Sequence, residues 1–283
     1  MKIYIVIPAH NEEAFIRETL ESLSRQSLLP SKLVVVDDQS ADGTAEIVSE
    51  LTRKYPLISL VKTTSSEEHL PGSKVINAFQ KGLETLDDTY DVICKFDADL
   101  IFPENYLETI SRHFSKNSKV GMAGGFCYIQ QEEEWVLESL TDKDHIRGAL
   151  KAYRKECFRD IGGLKPSMGW DTADELLAQF HGWEIVTDPS LKVKHLRPTG
   201  FTYHKKARWK QGEAFYKLRY GFIITTIASV KLALKKRKPA LLKDYLEGYF
   251  RAAVANSTFL VTKKEGAFIR RLRYKKMFAK LFG

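Results

Sequence analysis

Two carboxylates separated by one small residue, Asp97-Ala98-Asp99, end the apolar run Val92-Ile93-Cys94-Lys95-Phe96. In extended backbone the side chains at i and i+2 point to the same side, so both acids can face one cation. Hard oxygen ligands of this kind suit Mg²⁺ or Mn²⁺, which bridge protein carboxylates to substrate phosphates. Two more polar clusters sit in the same setting: Pro8-Ala9-His10-Asn11-Glu12 follows Ile3–Ile7, and Asp37-Asp38 follows Leu33–Val36. A carboxylate at the second place can accept hydrogen bonds from a ribose or a base. One of these two aspartates also suits a purely local role, turning the chain together with Ser40. Farther on, Trp170-Asp171-Thr172-Ala173-Asp174-Glu175 offers three acids. Any of them could take a proton from a hydroxyl, although Asp174 and Glu175 equally suit a helix start, where the dipole favours acids.

The elements that must position these groups follow from the apolar pattern. Residues 3–7, 33–36, 57–61 and 91–96 are short, continuously apolar or nearly so, as buried parallel strands are. Residues 12–26, 44–51 and 74–86 carry helical periodicity, the second opened by Asp42-Gly43. Strand and helix alternate over short connections, which predicts an α/β domain with a mostly parallel sheet. Ligands of such sheets bind at the carboxyl ends of the strands, where all three polar clusters lie. The first strand-to-helix turn excludes a dinucleotide dehydrogenase, because it has none of the glycines that let pyrophosphate approach the backbone. Beyond residue 120 the pattern loosens. Gly124-Gly125 and Gly162-Gly163 mark turns or close backbone approach.

Read in order, Ile5-Val6-Ile7-Pro8-Ala9-His10-Asn11-Glu12-Glu13, Val35-Val36-Asp37-Asp38-Gln39-Ser40-Ala41-Asp42-Gly43-Thr44 and Phe96-Asp97-Ala98-Asp99 resemble the family 2 glycosyltransferases of the GT-A fold over roughly the first 200 residues. The resemblance implies a nucleotide-diphosphate-sugar donor, a divalent cation (Mg²⁺ or Mn²⁺) and an inverting transfer. It puts Pro8, His10 and Glu12 around the base and ribose, with His10 where an aromatic often stacks on the base. It puts Asp38 on the base, and Lys74, in Gly72-Ser73-Lys74, near the nucleotide. Asp99 matches the main metal ligand, and Asp97 a ribose-side or second metal-side carboxylate, with Ala98 between them in the donor site. Counting back from Gly182, the general base is Asp171, with Trp170 where the family usually has a Glu. His195 matches a metal- or diphosphate-binding histidine. Arg197 is placed to meet the diphosphate, since a guanidinium fork matches phosphate oxygens.

The chain of 283 residues is 43% hydrophobic, enough for a substantial core, and its three scattered cysteines form no C-x-x-C. Reduced thiols in a cytoplasmic compartment are expected. The net charge of +8 divides unevenly, with −9 over residues 1–200 and +17 over residues 201–283. A boundary near residue 205 therefore separates a catalytic domain, 1–205, from a basic, aromatic-rich helical region, 206–283. Two charge-free runs in that region, Tyr220–Val230 and Ala252–Thr262, are eleven residues each, too short to span a bilayer. Interleaved with Lys235-Lys236-Arg237-Lys238 and other basic residues, they have the composition of helices in a membrane interface. The alternative is that they cap the domain's own core. The expectation is a peripheral enzyme on the inner face of the cell membrane, acting on a saccharide or lipid-linked acceptor in cell-surface polysaccharide assembly. A nucleotidyltransferase also uses paired aspartates and a metal, but residues 8–14 lack its glycine- and arginine-rich loop. A nucleic-acid-binding module would use the basic region, yet the apolar runs ill suit a phosphate-facing surface, so no nucleic acid is expected.

Overall fold

A computed structural model of the chain describes residues 1–64, 72–138, 143–197 and 209–282. The first half is a strand–helix alternation: β1 (Ile3–Ala9), α1 (Ile16–Ser24), β2 (Lys32–Asp38), α2 (Thr44–Lys54), β3 (Ile58–Thr63), α3 (Ser73–Glu84) and β4 (Val92–Phe96). These strands lie parallel in the order β3-β2-β1-β4, with Ile5 of β1 beside Leu33 of β2 and Cys94 of β4. β1 and β4 are buried along nearly their whole length, which is why they read as unbroken apolar runs. The periodic faces of the helices cover them: Leu20 and Leu23 from α1, Val48 and Leu51 from α2, Ile76 and Phe79 from α3 all enter one core.

The second half extends this sheet with mixed pairing. It comprises β5 (Leu100–Ile101), α4 (Tyr106–Lys116), β6 (Val120–Gln131), β7 (Glu134–Leu137), β8 (Leu150–Arg154), α5 (Lys155–Asp160), α6 (Trp170–Phe180) and β9 (Glu184–His195). β8 joins β4 antiparallel, β6 follows β8, and β9 runs parallel to β6 and carries β5 at its end. The two predicted glycine pairs find different uses. Gly124-Gly125 lies inside β6 at a register irregularity, where a Cβ on Gly125 would come within 2.3 Å of the Leu191 carbonyl oxygen. Gly162-Gly163 forms the turn after α5.

The basic region forms α7 (Lys210–Lys217), α8 (Gly221–Lys235), α9 (Ala240–Val254) and α10 (Lys263–Phe282). The expected boundary near 205 lies outside the described residues. These helices are seated on the body: Phe268 of α10 packs edge-on against Phe180 of α6, and Lys276 reaches Asp144 at 2.6 Å. α7 and α9 cross with their backbones nearly touching. A Cβ at Gly212 would sit 1.8 Å from the Tyr245 carbonyl oxygen, and one at Gly248 would sit 2.0 Å from that of Trp209. Only hydrogen fits there. Gly248→Ala should therefore lower stability by about 1–3 kcal/mol despite alanine's better helix propensity. Thermal and urea unfolding measure this, and an unchanged or raised midpoint would show that the crossing can relax.

Candidate active site

The turns after β1 and β2 are knitted together by their own polar residues. Asn11, at φ 56°, takes Ser40 Oγ on its N–H and offers Oδ1 to the Ala41 N–H at 2.7 Å. Glu12 N–H bonds Thr44 Oγ1, and Glu13 carboxylate holds the Gly43 N–H. Asp37 does the local work expected of one aspartate, accepting the Ser40 N–H at 3.2 Å, while Asp38 lines the cleft. His10 Nδ1 lies 2.6 Å from the Asp38 carbonyl oxygen, and its ring stays exposed.

All eight residues predicted on the donor side meet Asp99 around one cleft of about 300 Å³. Pro8, His10 and Glu12 come from β1 and its turn, Asp38 from the end of β2, and Lys74 from the first turn of α3. Asp97 and Ala98 follow β4, and Arg197 follows β9. The two predicted metal-side aspartates are held differently. Asp97 is half-exposed and ion-paired to the buried Lys95, whose Nζ also donates to the Gly148 carbonyl at 3.1 Å. Asp99 is buried. Its Oδ2 is 3.3 Å from Arg197 Nη2 and its Oδ1 is 3.7 Å from His195 Nε2. Arg197 also grips Glu12, so one guanidinium joins both acids.

Behind His195 stands Glu138, which takes Nδ1 at 2.8 Å and is itself ion-paired to Arg147. This carboxylate–histidine arrangement fixes the ring and turns Nε2 toward Asp99, as the outer partner of a metal-ligating histidine does. Cys127 is near enough to complete a cluster with Glu138 and His195; burial pushes its thiol up to about 12, and its soft sulfur suits Mg²⁺ or Mn²⁺ less than the oxygen donors do. Glu12 Oε2 and Asp99 Oδ1 are buried and accept no hydrogen bond from the described residues. Burial, with the charges of Asp99 and Asp97 adding to it against Arg197, raises Glu12 to about 7. Two under-bonded carboxylate oxygens and an aimed imidazole are the hard donor set that Mg²⁺ or Mn²⁺ accepts, so the residues fit such a cation.

The sequence matches the profile of glycosyl transferase family 2 over residues 4–163, more than half of its length. The chain belongs to glycosyl transferase family 2. It is 36% identical over 246 residues to a probable glycosyltransferase, YdaM, of Bacillus subtilis, an alignment covering 77% of this chain and 57% of that protein. It is 22% identical over 253 residues to the poly-β-1,6-N-acetyl-D-glucosamine synthase of Staphylococcus epidermidis, covering 82% of this chain and 59% of the synthase. The matched stretch thus spans under three fifths of these relatives. In fold it is similar to the mannosyltransferase PcManGT of Pyrobaculum calidifontis, solved with GDP-Man and Mn²⁺, with a TM-score of 0.60, 18% identity, and coverage of 98% of this chain and 80% of that one. The fold is GT-A.

In this family 2 chain the three acids of the Trp170–Glu175 segment take different positions. Gly169, at φ 77°, turns the chain into α6. Asp174 and Glu175 are buried and share Lys151, whose Nζ lies 2.8 Å from Asp174 Oδ1 and 3.2 Å from Glu175 Oε1. Tyr153 donates its hydroxyl to Asp174 at 2.5 Å, and the Ile146 N–H and His145 Nδ1 meet Glu175. Neither acid can meet a solvent-side hydroxyl without breaking this cluster, so what sets them aside is enclosure rather than the helix dipole. Asp171 keeps 34% of its side chain accessible. Burial pushes its carboxyl up, but His145 Nε2 at 3.7 Å and the Lys151 charge outweigh that and hold it below the usual range. Trp170, standing where a Glu was expected, is packed edge-on over Gly148 and under the ammonium groups of Lys95 and Lys151.

Sequence reasoning missed Glu138, His145, Lys95 and Lys151. Only the lysines left a signal: each interrupts a short apolar strand, and a buried ammonium needs an acid. His145 yields a pH test. Burial lowers its pKa, yet Asp171 and Glu175 more than offset this and raise it to about 9. Because the folded value exceeds the unfolded value of about 6.5, the charged ring contributes fully below that pH. The contribution is lost as pH rises through about 9. His145→Gln should cost on the order of 2–3 kcal/mol near pH 6 and little near pH 10. Urea unfolding at both pH values measures it, and an equal cost at the two would mean that the ring is held neutral.

Proposed function

We propose that this chain is a metal-dependent inverting glycosyltransferase. It would move a sugar from a nucleotide-diphosphate donor to a saccharide or lipid-linked acceptor, in the assembly of a cell-surface polysaccharide. The observation that carries the reading is the single cleft in which every predicted donor-side residue meets two buried, under-bonded carboxylate oxygens. The relatives support its coarser half: a named polysaccharide synthase and a fold neighbour solved with a nucleotide sugar and Mn²⁺.

In this reading the nucleoside lies over Pro8 and His10, with Asp38 accepting from its base. Asp99 and His195 would hold the cation, with Asp97 beside them, and the cation would offset the charge of the departing diphosphate. Lys74 and Arg197 meet the same phosphates. Arg197 reaches them by exchanging part of its contact with Glu12 and Asp99, since its guanidinium has donors in several directions. The acceptor hydroxyl attacks the anomeric carbon on the side opposite the diphosphate, and its proton passes to Asp171 as the carbon–oxygen bond to the diphosphate breaks. Asp171 can receive that proton because it is ionised and is the acid of its segment that keeps an accessible side chain, with His145 beside it at 3.7 Å. Asp97, tied to Lys95, borders the sugar end of the cleft.

Titration calorimetry with UDP and GDP, with and without Mn²⁺, tests the donor half. Mn²⁺ should strengthen binding of one nucleotide, and Asp99→Ala or His195→Ala should remove that gain. An undiminished Mn²⁺ gain in both variants would remove these residues from the cation site. For the acid, Asp171→Asn should keep nucleotide binding and lower turnover of the nucleotide sugar by about 10²–10⁴. Retained turnover in Asp171→Asn would transfer the base role elsewhere. A hydrolysis screen over nucleotide sugars names the base and the sugar together.

A further inference from the structure

Helix α8 is built inside out. Its buried face carries Thr225 and Ser229, whose hydroxyl oxygens accept no hydrogen bond from the described residues, next to Ile224 and Ala233. Its outer face carries Ile223, Ile227, Val230 and Leu234, exposed by 61%, 43%, 39% and 72%. Their spacing of four, three and four residues is one continuous stripe along a helix. A helix of a free-standing surface carries the opposite pattern. Phe222 widens the stripe and packs against Phe250 of α9 with ring centroids 5.7 Å apart, and Val254 lies exposed one turn beyond. The two helices together present an apolar plate that no described residue covers.

Along α8 and the turn that follows it, the rim of this plate has one sign of charge, and the acids Asp244 and Glu247 enter only within α9. Residues 221–243 contain six Lys and Arg and no Asp or Glu. Lys236, Arg237 and Lys238 form the turn between α8 and α9, and they and Lys243 are exposed. Arg237 takes φ 52°, which sharpens this turn at the end of the stripe. Among the described residues no helix is long and apolar enough to cross a membrane.

We infer that the α8–α9 plate docks on an anionic lipid surface, with Phe222, Ile223, Ile227 and Leu234 entering the headgroup–acyl boundary and the 236–238 turn meeting lipid phosphates. The chemistry is that of an interfacial helix, where buried apolar area and attraction to anionic headgroups act together. A second copy of the chain fits the plate less well. Self-association would bring two copies of the basic 236–238 turn into one interface, against only Asp244 and Glu247 of α9, the latter already paired to Arg251. The inference stands on the surface of α8 and α9 and requires nothing of the transfer chemistry.

The test is flotation of the full chain with vesicles of phosphatidylcholine alone and with about one third phosphatidylglycerol. The wild-type protein should float with the anionic vesicles and far less with the neutral ones. Ile227→Glu/Leu234→Glu should stay at the bottom with both. Lys236→Glu/Arg237→Glu/Lys238→Glu should partition at least about 100-fold more weakly on anionic vesicles, at roughly a factor of five per basic residue removed. High salt should weaken wild-type binding only in part, because the apolar contribution is not screened. These variants lie outside the cleft, so their Mn²⁺-dependent nucleotide binding should match wild type, and Asp99→Ala should float like wild type. Failure of one reading is thereby visible apart from failure of the other. Wild-type protein that remains at the bottom with anionic vesicles overturns the inference. If light scattering then shows a dimer that Ile227→Glu converts to monomer, the plate is an interface between copies.

Discussion

Crowding of negative charge at one edge of the sheet is the constraint to which the rest of the structure answers. Glu12, Asp97, Asp99, Glu138, Asp171, Asp174 and Glu175 converge there, and unpaired carboxylates in so small a volume repel one another. Each is met by a cation from a different part of the chain. Lys95 comes from within β4 for Asp97, Lys151 from within β8 for Asp174 and Glu175, His145 for Asp171, Arg147 for Glu138, and Arg197 for both Glu12 and Asp99. Lys95 and Lys151 are almost wholly buried, an arrangement tolerable only because the partner acids and carbonyls satisfy them. What is left after this pairing is informative. The two buried carboxylate oxygens that the described residues do not hydrogen-bond belong to Glu12 and Asp99, the acids that share Arg197.

The pairing also divides labour among similar residues. Asp171 and Asp174 are one helical turn apart, yet one keeps a third of its side chain accessible and the other is sealed against Lys151 and Tyr153. Asp97 and Asp99 are two residues apart, yet one turns to an ammonium and the other to an imidazole and a guanidinium. Enclosure and partner, rather than residue type, decide which acid stays accessible and which is sealed into the fold.

The first four parallel strands and their helices were legible because each is a local signal: an apolar run of strand length, a period of 3.6, a polar stop. The meeting of the first polar clusters around one cleft was legible for the same reason, since a parallel sheet brings strand ends together wherever the topology runs. Glu138 was not, because its importance arises from a contact across 57 positions to His195 and no nearby residue marks it. His145 depends likewise on Glu175, 30 positions away. In the basic region the charge-free block Tyr220–Val230 could be counted, but its two faces could not be told apart. The residues that look suited to solvent, Thr225 and Ser229, turned inward, and the stripe that matters runs past the block to Leu234.

The pairing of His195 with Asp99 has a consequence for the order in which the protein is made. The strands β3, β2, β1 and β4 are all synthesised by residue 96 and pair only with one another and with β8. On a ribosome they can collapse early, with local helices closing each connection. The corner around Asp99 cannot. Asp99 waits through 96 further residues for the imidazole, and Arg197 follows two residues later. Until then its carboxylate lacks both of the partners it meets in the fold, and this corner of the cleft is completed in one step, when β9 is laid beside β6, rather than growing with the chain.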